Sequence, residues 1–193
     1  MARRGQTGLS PDFTKFWAGQ TISNLGSSFT QWAVPLLVFK LTHSALNLGL
    51  ATAATFLPYL LFGLVLGAWM DRIDRKRAMI ALDVLNALVI LSVPLVATFG
   101  HLSVWWIYAV AFIQSTIFIA FQAGEFAAIP SLVETDDLVA ANGRIQATYS
   151  AAQVAGPLLA GLLVALVSIQ WVMALDAASF LVSAVMLLSL IHI

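Results

Sequence analysis

The 193 residues contain no cysteine and little charge: Asp, Glu, Lys and Arg make up 9% of the chain. Without cysteine there is no disulfide framework, no thiolate nucleophile and no Cys-ligated metal. A soluble domain carries about a quarter charged residues, so a chain with 9% charged and 61% hydrophobic residues is not one. Histidine is scarce as well. His43, His101 and His192 fall in or beside predicted turns or at the terminus and are not spaced as ligands. No Gly-x-Ser-x-Gly, His-Glu-x-x-His or phosphate-cradling Gly-x-x-x-x-Gly-Lys occurs. These absences predict a protein that is not an enzyme and takes no cofactor, no metal and no nucleic-acid partner.

Long apolar runs fill the chain instead. The spacing predicts six membrane-spanning helices: Phe16 to Phe39, Leu46 to Met70, Ala78 to Phe99, Val104 to Ile129, Asn142 to Val167, and Trp171 to the end. Each is about 20 residues or longer, enough to cross a hydrocarbon core of about 30 Å. Helices are expected because a bilayer offers no water to unpaired backbone groups, and a barrel would show short alternating segments. The fold class is therefore an all-α membrane protein, a six-transmembrane-helix bundle over residues 16–187 after a polar segment, 1–15. That segment lacks a cleavage-site pattern, and the first apolar run exceeds a signal-peptide core, so the run reads as a retained helix.

Between the second and third spans, Asp71-Arg72-Ile73-Asp74-Arg75-Lys76-Arg77 packs six of the eighteen charged side chains into seven positions. So charged a stretch belongs in water. Arg3, Arg4, Lys15, Arg144 and the cations of this loop all fall on one predicted side, and Lys40 on the other. The positive-inside rule makes the N-terminus and the loop cytoplasmic. Trp105, Trp106, Tyr108 and Trp171 then sit at the outer interface, where amphipathic rings belong. A cytoplasmic loop is predicted over Pro130 to Ala141, read as a solvated turn, with Asp136 or Asp137 capping a short surface helix as the alternative.

Polar residues inside the spans form stripes. Gln20, Asn24, Ser27 or Ser28, and Gln31 share one face of the first helix, and Gln114, Phe118, Gln122 and Glu125 share one face of the fourth. Interhelical hydrogen bonding accounts for such stripes in any bundle. Four polar positions over three turns exceed what packing needs, which favours a cavity wall of Gln20, Asn24, Gln31, Gln114 and Gln122. Glu125 has two readings: a side chain reaching the interface, or a site for a proton or cationic group. Gln146, Ser150, Gln153 and Pro157 line up on the fifth span. There Gly156, Ala160 and Gly161 invite close approach of another helix, as Gly63 and Gly67 do on the second, while Pro58 and Pro157 predict bends. Asp83 and Asp176 read as structural, Asp83 neutralised by Arg75 to Arg77 and Asp176 reaching water or a hydroxyl.

The charged loop resembles the signature of the major facilitator superfamily of secondary transporters, Gly-x-x-x-Asp-Arg-x-Gly-Arg-Lys, at Gly67, Asp71, Arg72, Arg75 and Lys76, with Arg77 continuing it. Asp74 replaces a glycine there and tolerates a left-handed turn. Gly156-Pro157 is similar to the Gly-Pro motif of drug–proton antiporters. Ser23-Asn24-Leu25-Gly26, Ile129-Pro130 with Leu138 to Gly143, and Ala178-Ser179-Phe180 resemble the multidrug, macrolide and siderophore exporter branch. The resemblance implies the N-terminal half of a twelve-helix exporter of an amphipathic small molecule in a bacterial cytoplasmic (inner) membrane. It also implies rocking-bundle alternating access, proton-gradient coupling and a gating switch centred on Asp71. The arginine motif that many proton antiporters carry in span four is missing here. The implied partners are the lipid bilayer, the small-molecule substrate and a missing C-terminal six-helix half. Rival readings are a six-helix protein that dimerises and a non-transporting scaffold or receptor. Residues 188–193, Leu-Ser-Leu-Ile-His-Ile, match what a sequencing-library adapter encodes in frame and are expected to be non-native.

Overall fold

The computed structural model describes residues 10–190, all of it helix or short connection, with no strand among the described residues. The six helices are α1 (Pro11–Thr42), α2 (Ala45–Met70), α3 (Arg75–Thr98), α4 (Val104–Leu132), α5 (Leu138–Leu166) and α6 (Ile169–Leu188). A single 3₁₀ turn, Thr135–Asp137, precedes α5. Arg3, Arg4, His192 and the rest of 191–193 lie outside the described residues.

Helix ends follow local chemistry. Ser10 caps α1: its hydroxyl accepts from the Phe13 amide at 3.0 Å, Pro11 occupies the first helical turn, and Asp12 faces the positive end of the dipole. α1 therefore starts before the apolar run at Phe16. It stops at His43, whose left-handed backbone (φ 50°) returns the amide to the Phe39 carbonyl. Asp74 caps α3 through the Arg77 amide at 2.9 Å. Its φ of −64° needs no left-handed tolerance, so the Asp at that position acts as a helix start, not a glycine substitute. This cap draws Arg75, Lys76 and Arg77 out of the predicted loop and into the helix. The predicted loop over 130–141 also shrinks. α4 runs through Pro130 to Leu132 and α5 begins at Leu138, and neither Asp136 nor Asp137 makes a side-chain cap. α2 and α5 continue unbroken through Pro58 and Pro157.

α1 packs chiefly against α6 and α5, α3 against α6 and α4, and α2 against α4. Three contacts gather one set of ends. The Ser10 hydroxyl donates to the Leu132 carbonyl at 2.5 Å, Arg75 Nη1 to the Ala127 carbonyl at 3.3 Å, and Lys76 Nζ to the Leu188 carbonyl at 3.4 Å and to that of Leu190. At the opposite ends, the Tyr108 hydroxyl bonds Asn47 and the Trp106 indole donates to Ser92 Oγ at 3.1 Å. The helices thus alternate in direction. α2 to α6 are each long and apolar enough to cross a membrane. α1 is longer, but its amides and hydroxyls dilute its apolar character. Two apolar clusters stack along the bundle. One surrounds Phe13, Phe16, Met70, Met79 and Leu187, the other Val38, Ile90, Val93, Ile107 and Met173.

Candidate functional site

The bundle forms a half-open cavity of about 480 Å³ to which all six helices contribute. Its wall combines the amides of Asn24, Gln31, Asn86, Gln114 and Gln153 with the rings of Tyr59, Phe118, Tyr149 and Phe180. Thr52 and Thr55 add hydroxyls whose protons are already given to the Leu48 and Ala51 carbonyls, each at 3.0 Å, so their oxygens face the space as acceptors. Among the described residues, no Asp, Glu, Lys or Arg lines it. A lining of dipoles and aromatic faces suits a molecule that is partly apolar and rich in hydrogen-bonding groups.

The α1 stripe turns out to serve two purposes along its length. Asn24 and Gln31 line the cavity, but Gln20 does not: its Nε2 donates to Ser183 Oγ on α6 at 3.1 Å. Ser27 Oγ donates to Asp176 Oδ1 at 3.4 Å, which Ser179 also contacts at 3.3 Å. Asp176 is 0% exposed, so it meets hydroxyls and not water. On α4, Gln114 lines the cavity, while Gln122 is half-buried and does not. Glu125 does not reach the interface. It is 2% exposed, and its Oε2 accepts from the Tyr149 hydroxyl at 2.8 Å, one layer beneath the cavity floor. The inward ridge of α5 is Ile145, Thr148, Ala152 and Gly156; Gln146 and Ser150 point outward. The stripes missed Tyr149 and Asn86: Tyr149 lies one position off the Gln146, Ser150 and Gln153 row, and Asn86 lies one turn beyond Asp83, which was read alone.

Glycine positions divide sharply. A Cβ on Gly26 would lie 2.1 Å from Ser179 Oγ, and one on Gly156 would lie 2.5 Å from Ser28, so α1 is pressed against both α6 and α5. Gly63, Gly67 and Gly161 have nothing within 4 Å and support no close approach inside this bundle.

At the charged end, Asp71 Oδ1 sits 4.0 Å from Arg75 Nη2, and Arg77 Nε 3.5 Å from Asp74. Arg75 and Lys76 reach the carbonyl ends of α4 and α6, where the helix dipole favours cations. They do not reach Asp83, and no salt bridge to Asp83 exists among the described residues. Asp71 and Arg72 are exposed. Arg144 lies 5.9 Å from the centre of the Trp17 ring, whose indole donates to Thr148 Oγ1 at 2.9 Å.

Comparison with known proteins accounts for this arrangement. Residues 16–192 match the Major Facilitator Superfamily. The chain belongs to that family. Macrolide efflux protein A of Streptococcus pyogenes is 32% identical over 174 residues, covering 90% of this chain and 43% of that protein. The Enterococcus faecalis protein of the same name is 32% identical over 134 residues, with 69% and 41% covered. An uncharacterized MFS-type transporter of Bacillus subtilis, YfiS, is 30% identical over 174 residues, with 88% and 40% covered. The superfamily chain described here therefore spans about two-fifths of the length of the curated relatives it matches. This is a family of transporters, not of enzymes, and its members are multi-pass membrane proteins. Within the family, the resemblance to the macrolide exporter branch holds.

Proposed function

We propose that this chain forms the N-terminal six-helix half of an exporter of amphipathic small molecules in a bacterial cytoplasmic membrane, with the 71–77 loop on the cytoplasmic side. The observation that carries this reading is the uncharged cavity of amides, hydroxyls and aromatic rings. It matches the chemistry of large, hydroxyl-bearing amphiphiles, and two relatives are named for macrolide efflux. Transport runs by alternating access, powered by the proton gradient, as the family resemblance implies. Asp71 is 69% exposed at its side chain and only loosely held by Arg75. It is free to meet a helix N-terminus of a second half in one state and release it in the other. Arg72, with Gly67 beside it, belongs to the same switch.

The test is accumulation of a radiolabelled macrolide in cells expressing the intact gene. Lower accumulation than in vector controls is expected, with most of the difference lost in Asp71→Asn at unchanged membrane abundance. Equal accumulation with the protein present in the membrane would overturn the reading. Cysteines at Ser44 and Gly100 should react with an impermeant thiol reagent from outside; labelling only from the cytoplasm would reverse the topology.

A second reading has its own support. The open faces at Gly63, Gly67 and Gly161 fit a second copy of the bundle as well as a C-terminal half. Cysteine crosslinks between two copies at Gly63, in a protein that still exports, would favour it.

A further inference from the structure

Beside the large cavity lies a second, much smaller space of about 10 Å³, enclosed between α1, α3, α4, α5 and α6. It has room for one water-sized particle. Asp83 faces it and is 1% exposed. Asp83 has no ion-pair partner among the described residues, whose salt bridges all lie in the first turn of α1 or around the 71–77 loop. A carboxylate held inside a membrane bundle needs a positive partner.

Other oxygen-bearing side chains border the same space. Asp83 Oδ2 and Asn86 Oδ1 are both fully enclosed and accept no hydrogen bond among the described residues. Gln20 borders the space with its Nε2 already committed to Ser183, which leaves its amide oxygen uncommitted. Ser23 and Ser27 add hydroxyl oxygens from the next turns of α1. Asn24 completes the wall; its Nδ2 has no acceptor among the described residues, and half a turn of the amide exchanges that nitrogen for oxygen.

We propose that this space is a sodium site, in which one Na⁺ is held by Asp83, Asn86 and Gln20 with the α1 hydroxyls. The donor set is all hard oxygen, which suits a hard cation. A single proton would satisfy one pair of oxygens and leave the others bare. One facing carboxylate balances one positive charge, which argues against a divalent ion. Two other buried acids lie near by, Glu125 bonded through Oε2 by Tyr149 and Asp176 through Oδ1 by Ser27 and Ser179; each has a second enclosed oxygen without a partner among the described residues, but neither borders this space. Asn24, Ser27 and Asn86 line both spaces. Sodium and a cavity ligand would then share side chains and alter each other's affinity reciprocally.

The site goes beyond the export reading and does not rest on it. Binding is read on the purified intact protein, so a chain that binds Na⁺ yet exports nothing would retire that reading and keep this one. The experiment is thermal unfolding in detergent at constant ionic strength, with NaCl titrated against choline chloride, alongside equilibrium binding of radioactive sodium. A saturable, sodium-specific rise in midpoint and about one ion bound per chain are expected. Asp83→Asn should abolish both. Asn86→Leu keeps the carboxyl in place, covers the case in which Asp83→Asn does not fold, and should weaken sodium binding by about tenfold, whereas Gln114→Ala should leave it unchanged. No sodium-specific shift in the unsubstituted protein, or the same shift in both site variants, would overturn the proposal. So would an infrared band of protonated Asp83 that persists at high NaCl.

Discussion

Helices α2 and α6 are comparably apolar, yet α2 buries only Ala51, Pro58 and Met70, whereas α6 buries Val172, Met173, Asp176, Ser179, Phe180 and Ser183 among others. Leu60 and Leu64 of α2 are 84% and 93% exposed; Val172 and Met173 of α6 are 0% exposed. Apolarity does not separate the two. Lipid tails are as apolar as leucine, so hydrophobic residues gain little by leaving them for a helix neighbour. What separates them is the row of polar groups on α6, which finds partners on α1: Gln20 for Ser183 and Ser27 for Asp176. Glycine then sets how closely α1 comes, with Gly26 against Ser179. α2 has one of each toward α4, Asn47 bonded by Tyr108 near one end and Met70 against Gly124 at the other, with no polar row between them, and its own glycines look out into open space. α5 lies between the two cases. It is pinned to α1 at Gly156 and Thr148, and bare at Leu158, Leu162 and Gly161.

The largest effect that would test this contrast comes from the glycines. Gly26→Leu forces a side chain into the Ser179 contact and should destabilise the bundle by about 3 kcal/mol, seen as lost monodisperse protein and a lower unfolding midpoint in detergent. Gly63→Leu should leave the midpoint unchanged while impairing export, as expected if the proposed second half packs on its face. Equal loss of fold in both variants would erase the distinction. Tyr149→Phe comes next. It strips Glu125 of its one hydrogen bond among the described residues and should cost about 1–3 kcal/mol, whereas Tyr59→Phe, at the cavity edge, should be silent in the same melt. Smaller again is Trp17→Phe, which removes the indole bond to Thr148 and should cost about 1 kcal/mol. Trp69→Phe on the exposed side of α2 should fall within about 0.5 kcal/mol of no change; a larger shift there would mean that α2 is held by contacts beyond those described.

The architecture was legible because span length and loop charge are properties of single segments. Six apolar runs predicted six helices, and the residues from Gly67 to Arg77 announced both a turn and a family. Boundaries moved where capping outweighed apolarity: Ser10 and Asp74 each began a helix earlier than the first apolar residue would suggest. The cavity was only half legible. Asn24, Gln31 and Gln114 lie on its wall, but Gln20 belongs to the α1–α6 seam and Glu125 to a buried pair with Tyr149. A stripe on one helix shows that something polar must face it, not whether that partner is a side chain or a ligand; only the opposing helix decides. The small-residue rails divide for the same reason. Gly156 meets Ser28, while Gly161, five residues on, meets nothing within this chain.

The Ser10 hydroxyl, joined to the Leu132 carbonyl 122 residues away, carries a consequence in time. A ribosome adding about 5–20 residues per second needs on the order of ten seconds to reach α4 after Ser10 has been made. Through that interval the bond to α4 does not exist, and the start of α1 has only its own cap at the Phe13 amide and the Asp12–Lys15 pair to define it. The cap and first turn of α1 can therefore form from local contacts before α4 exists, and the last turn of α4 docks onto that end afterwards.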